Sequence, residues 1–111
     1  MGVIMVANID VKDLEKYKSS GYLENTGKIS TYHGGRYRVR AGEYRVYEGS
    51  PEIKGRVIMI EFPSFEKFED FYLSKEYKPW KKIRHEMSDG NIYVIETLTN
   101  EESDKIADKG V

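Results

Sequence analysis

The segment Tyr32–Gly42, YHGGRYRVRAG, sets two adjacent glycines ahead of arginines at every second position, Arg36, Arg38 and Arg40. Glycine just past a last helical turn takes the left-handed conformation that closes a helix, because no Cβ opposes it. The alternation from Arg36 onward has the two-residue period of a strand. The segment therefore reads as a switch from helix to strand, with Tyr37 and Val39 on one face and the arginines on the other. Ala41-Gly42 predicts a kink or bulge before EYRVYE (43–48) resumes the strand.

Towards the N-terminus, VIMVANI (3–9) is a short, branched, apolar run that reads as a strand buried on both faces. Asp10 is expected to cap the following helix, in which Leu14, Tyr17 and Tyr22 mark the inward stripe. Gly21 and Gly27 predict a bend or break in that helix. Towards the C-terminus, GSPEIKG (49–55) is a turn-rich connection and RVIMIEF (56–62) a second apolar strand. Ser64 reads as a cap for a helix whose Phe65, Phe68, Phe71 and Tyr72 recur at helical spacing. Pro79 lacks an N–H, which places the start of the next helix near Lys78–Pro79, with Trp80, Ile83 and Met87 on one face. NIYVIETL (91–98) is the last strand, and residues 99–111 are expected to be a loose polar tail after a domain spanning 1–98.

The order strand, helix, strand, strand, helix, strand is the ferredoxin-like βαββαβ arrangement of the α+β class. Its crossovers place the first and third strands in the centre of a four-stranded antiparallel sheet, with helices on one face. The other face carries the alternate apolar side chains of the central strands. A second copy of the chain is the simplest cover, so a homodimer is expected.

Composition narrows the partners. A chain of 111 residues supports one hydrophobic core. A net charge of −1 supplies no general attraction for nucleic acid, and the strand VIMIEF lacks an exposed aromatic pair for stacking bases. No apolar run approaches the ~20 residues of a bilayer span. Cysteine is absent, which removes disulfides, thiolate metal sites and a cysteine nucleophile, and a cytoplasmic location is expected. There is neither a phosphate-binding glycine loop nor a nucleophile elbow. The two histidines have no third ligand at a recognisable spacing, so neither metal nor cofactor is expected.

The segments ANIDVKDLEKY, HGGRYRVRAGE, IEFPSFEKFEDFY, SKEYKPWKKIR and NIYVIET resemble, in order, domain-of-unknown-function family 1330 over residues 3–98. GGRY (34–37) with Arg40, EFPS (61–64), and Glu76-Tyr77 with Arg84 match its pattern. Arg38 stands where the family usually has an aliphatic residue, and Ala41 where it often has glycine. The resemblance implies a dimeric α/β barrel built from two facing ferredoxin-like sheets. The wider superfamily includes cofactor-free monooxygenases, haem-degrading enzymes, muconolactone isomerase and chlorite dismutase; the resemblance implies no particular reaction.

Among candidate site residues, Arg36 and Arg40 are expected to point the same way and to form a fork for a carboxylate, phosphate or enolate oxygen. The plainer alternative is an ion pair with Glu61 or Glu43. His33, beside two glycines, reads as a general base or as a group that satisfies terminal helix carbonyls; His85 reads similarly. Tyr77 and Arg84 lie two helical turns apart and share a face. Arg84 then either stacks on Trp80 as scaffold or reaches the sheet as a third anchor for an anion. Nine tyrosines in so short a chain point to the walls of a pocket or an interface. The expected function is the binding of a small anionic or polyketide-like molecule between sheet and helices. The alternatives are a cofactor-free isomerase or monooxygenase with His33 as base, and an interaction protein without chemistry.

Overall fold

The computed structural model describes residues 2–109. Its elements run β1 (Val3–Val11), α1 (Leu14–Ser19), α2 (Tyr22–Tyr32), β2 (Arg36–Arg40), β3 (Arg56–Phe62), α3 (Phe65–Tyr72), α4 (Lys78–Met87), β4 (Ser88–Glu96) and α5 (Asn100–Lys109). The strands form one antiparallel sheet in the order β2-β3-β1-β4, so the first and third strands are central as the crossover rule requires. This is the ferredoxin-like arrangement, with α1–α4 packed on one face.

The core lies between that face and the helices. Val3, Met5, Ala7 and Ile9 of β1 meet Ile60 and Phe62 of β3, and Tyr17, Tyr22, Phe68, Phe71 and Tyr77 close over them. Phe62 stacks on Phe71 at 5.7 Å between ring centroids and meets Phe68 edge-on at 5.5 Å. The phenylalanines at helical spacing are thus packing residues, apart from Phe65, which is exposed. On the sheet's other face, Ile4, Val6, Val57 and Met59 are half-buried and Tyr93 and Ile95 exposed.

Local differences from the sequence reading each have a backbone cause. Asp13, not Asp10, caps α1: its carboxylate accepts the Lys16 N–H at 3.2 Å, while Asp10 pairs with Asp89 as β1 runs on to Val11. The break between α1 and α2 falls at Gly21, which has φ 86°; Gly27 stays helical. Leu14, expected inward, is exposed, whereas Tyr17 and Tyr22 are buried. Tyr32 ends α2, and Gly34 at φ 88° turns the chain into β2.

Two segments depart further. EYRVYE does not resume the strand: β2 ends at Arg40, Ala41 takes φ 55°, and residues 41–55 are irregular and mostly exposed. Residues 100–109, expected loose, are helical. A reciprocal cap starts α5, with the Thr99 N–H donating to Glu102 Oε1 at 2.9 Å and the Glu102 N–H to Thr99 Oγ1 at 3.1 Å. The backbone N–H of Thr99, and then its hydroxyl, hold the Glu102 carboxyl below its ordinary range.

Candidate ligand-binding cavity between sheet and helices

A single extra residue in β2 decides which arginine reaches the core side. Arg36 pairs with Glu61 and Tyr37 with Ile60, but the next pairs are Val39 with Met59 and Arg40 with Ile58. Arg38 is the bulged residue, and the bulge resets the alternation. Tyr37 and Arg40 therefore share the helix-side face with Ile58 and Ile60, while Arg36 stands with Glu61 on the other face. The two arginines expected to form a fork are on opposite sides of the sheet. Glu61 pairs with neither of them: Arg38 Nε donates to its Oε1 at 2.8 Å, and Glu43 has only Arg45 at 3.7 Å.

Between sheet and helices lies a cavity of about 50 Å³. Its floor is apolar, from Met5, Ala7 and Ile9 of β1, Ile58 and Ile60 of β3 and Ile92 of β4. Its roof is aromatic and polar, from Tyr17, Tyr22, Thr26, Phe71, Tyr77 and Arg84. Arg40 and Tyr37 stand at one side, with the guanidinium 5.4 Å from the ring centroid, and Arg56 opens β3 at the same wall. Arg40 and Tyr37 also line a surface groove beside α2, so they form the cavity's boundary on that side.

Arg84 is the group that most needs explanation. It is 6 % exposed, the sole charged side chain in the buried class among the described residues. It does not stack on Trp80; it turns into the cavity beside Tyr77. Its Nη2 donates to Tyr72 Oη and contacts His85 Nε2, each at a long 3.3 Å, and its Nε has no partner. Among the described residues no carboxylate lies within 4.0 Å of Arg84, Arg56 or Arg40. Arg56 Nε and Thr26 Oγ1, also at this cavity, are likewise buried without a partner. Uncompensated burial of a cation is costly, so such a cluster has a reason or a ligand.

The tyrosines supply donors. The Tyr22 and Tyr77 hydroxyls share a hydrogen bond of 2.6 Å, which leaves one hydroxyl proton of the pair free for a further acceptor. Burial pushes the Tyr17 and Tyr22 phenols up to about 12, and Tyr77 higher still through burial and the neighbouring Tyr22. All three are therefore neutral at physiological pH and act as proton donors. Burial opposes the charge on Arg84, but the phenols of Tyr22 and Tyr77 beside it outweigh that, and it stays a cation.

Of the residues singled out in the sequence, Arg40, Tyr77 and Arg84 are brought together here. Arg36 and Glu61 are on the far face. His33 caps α2, its N–H shared between the carbonyls of Ile29 and Ser30 and its ring edge-on to Tyr32 at 5.1 Å, and it is not among the cavity's lining residues. Sequence reading missed Thr26, Arg56 and the polar use of Tyr17 and Tyr22. Arg56 carried a usable signal: it precedes Ile58 and Ile60 at period two, so it had to share their face.

The four-stranded antiparallel sheet and its single helix layer together define an α+β protein of the ferredoxin-like class. The chain belongs to the family described as Domain of unknown function (DUF1330), which matches residues 3–98. No curated protein matches it. Solved structures with this fold include the methylated RPA0582 protein, at TM-score 0.69 and 16 % identity, covering 89 % of this chain and 82 % of that one. RPA0582, a protein of unknown function from Rhodopseudomonas palustris, also aligns at TM-score 0.66 and 15 % identity, over 88 % of this chain and 83 % of that one. SnoaB, a cofactor-independent oxygenase from Streptomyces nogalater, aligns at TM-score 0.61 and 9 % identity, over 89 % and 95 % of the two chains. At these identities the likeness is one of fold. Among the described residues no helix is long and apolar enough to cross a membrane.

Proposed function

We propose that this protein binds a small organic anion in the cavity between sheet and helices, with Arg84 as the principal counter-charge. One observation carries the reading: an arginine only 6 % exposed, with an idle Nε and no carboxylate within reach, on the wall of an apolar cavity. An anion there regains the Coulomb energy that the fold forgoes, in surroundings of low dielectric where that energy is large. Arg56 and Arg40 add charge at the wall, and Tyr22, Tyr77 and Thr26 offer neutral donors. The volume favours a short-chain carboxylate over a polyketide: at about 50 Å³ the space holds a few water-sized groups.

A cofactor-free isomerase or monooxygenase is the second reading. Neutral phenols beside a fixed cation resemble an oxyanion site, which would stabilise an enolate. The titratable groups lining the cavity are tyrosines and arginines, with neither carboxylate nor histidine, and Tyr17, Tyr22, Tyr77 and Arg84 hold their protons. A substrate therefore arrives already ionised, or a base enters with it. Sharing a fold with an oxygenase supports this only as analogy. The uncovered sheet face supports a homodimer: Ile4, Val6, Met59, Tyr93 and Ile95 are apolar and at least partly exposed there.

Thermal unfolding with acetate, propionate and pyruvate, each against its neutral amide, tests the ligand reading. The acids are expected to raise Tm and the amides not, with the gain lost in Arg84→Met. Equal effects of acid and amide, or none at millimolar acid, would refute it. Sedimentation across a range of concentrations tests the dimer.

A further inference from the structure

We infer that the anion held in this cavity is two-headed: a short dicarboxylate such as malonate or succinate, with one carboxylate on Arg84 and the other on Arg56. The inference rests on the reading that Arg84 binds an organic acid, and it names the class of acid.

Two cations at this cavity lack a counter-charge, and they come from different layers. Arg84 hangs from α4 in the helix layer, whereas Arg56 is the first residue of β3 in the sheet. Each lines the cavity, and each has a buried Nε without a partner. The ion pairs among the described residues are Lys28–Glu24, Arg38–Glu61 and Arg45–Glu43, so no carboxylate lies within 4.0 Å of either. Among the described residues no aspartate, glutamate or histidine lines the cavity. A monocarboxylate on Arg84 leaves the half-buried Arg56 facing an apolar floor, and a second carboxylate removes that cost. Arg40 stands exposed at the rim, where water screens its charge, so two heads suffice.

The backbone fixes Arg56 in this role. Strand register sets it opposite Ile9, which is buried, and it shares the helix-side face with Ile58 and Ile60. The residue before it, Gly55, takes φ 73°, and a Cβ there would collide with the Ile9 carbonyl oxygen. The chain thus enters β3 pressed against β1, which sets the point from which the guanidinium reaches inward. Tyr17 links the two cations: burial raises its phenol, and the charges of Arg84 and of Arg56 both act against that rise. Both guanidiniums therefore lie within Coulomb reach of one phenol. Thr26, 7 % exposed and with its hydroxyl oxygen unpaired, offers a further hydrogen bond on the same wall.

Size and geometry set the class. A guanidinium takes a carboxylate through two parallel N–H bonds in one plane, so two guanidiniums on separate layers call for two carboxylates rather than one shared head. A volume of about 50 Å³ admits only the shortest linkers between them.

Isothermal titration of the full chain near neutral pH and at fixed ionic strength tests this. The probes are malonate and succinate, the monomethyl ester of each, and sulfate. At least one diacid is expected to bind tighter than its monoester by on the order of tenfold or more, the worth of one charge-assisted hydrogen-bonded contact. Arg56→Met is expected to erase that difference, and Arg84→Met to weaken diacid and monoester alike. Equal binding of diacid and monoester by the parent chain overturns the second head and leaves Arg84 standing as the counter-charge. Sulfate binding as tightly as the diacids shows that one doubly charged head suffices, and also overturns the inference. A diacid preference that survives in Arg56→Met overturns the assignment to Arg56. Binding of none of the acids overturns this inference together with the reading on which it rests. The series on the parent chain decides between one head and two whether or not the variants fold.

Discussion

Replacing Arg84 with methionine separates a structural arginine from one held for a ligand. Methionine keeps much of the unbranched stem and removes the guanidinium. What the fold loses is two contacts at 3.3 Å, to Tyr72 and His85, of which a hydrogen bond of that quality is worth about 0.5–1 kcal/mol. What it gains is release from burying a cation that no carboxylate faces, an effective penalty of several kcal/mol at neutral pH, where Tyr22 and Tyr77 are protonated and act on it only as dipoles. The balance is a stabilisation of about 1–3 kcal/mol. For a chain of this length that corresponds to a rise in Tm of about 4–12 °C, measured at fixed protein concentration in buffer free of organic anions. The same variant is expected to lose the Tm gain from short-chain carboxylates. Stability and function then pull in opposite directions, as at many binding sites. A variant less stable than the parent by about 2 kcal/mol, with carboxylate binding intact, refutes the argument and makes Arg84 a satisfied scaffold.

Three further outcomes follow from the geometry. Tyr22→Phe or Tyr77→Phe breaks the buried 2.6 Å hydroxyl pair and is expected to destabilise by about 1–2 kcal/mol, with the double variant costing less than the sum in urea unfolding. At alkaline pH, phenols raised to about 12 from 10 bind more protons folded than unfolded, so stability holds below pH 10 and falls through pH 12. Denaturant midpoints read alongside phenolate absorbance check the sign, and a flat profile across that window contradicts the burial of Tyr17 and Tyr22. Ala41→Gly relieves the positive φ of 55° and is expected to stabilise by about 0.5–1 kcal/mol, since glycine's greater unfolded-state entropy offsets part of the relief. A loss of stability in that variant would show that Ala41 is held by contacts rather than tolerated.

Much of the architecture was legible because it rests on local periodicity. The strand RVIMIEF and the helix from Phe65 to Tyr72 fall where alternation and helical spacing place them, and Pro79 marks the start of α4. The expected face of the arginines failed for one reason: a bulge adds one residue to β2, and a shift of one residue moves every later side chain to the opposite face. EYRVYE has strand alternation but finds no ladder in its own protomer, which periodicity cannot reveal. The tail became helical because a Thr99–Glu102 capping box outweighed its polarity.

The amino-acid order alone determined the succession of strands and helices, the antiparallel ferredoxin-like sheet and its apolar open face. These follow from which residues repeat at two and at three to four positions, and such spacings are properties of the chain itself. Only tertiary structure decided that Arg40, Arg56 and Arg84 meet around one cavity with Tyr22 and Tyr77, while Arg36 and Glu61 stand beyond the sheet. Those residues lie on separate elements, and their meeting depends on strand register, one bulge and the burial of α4, quantities that exist only when the layers are packed.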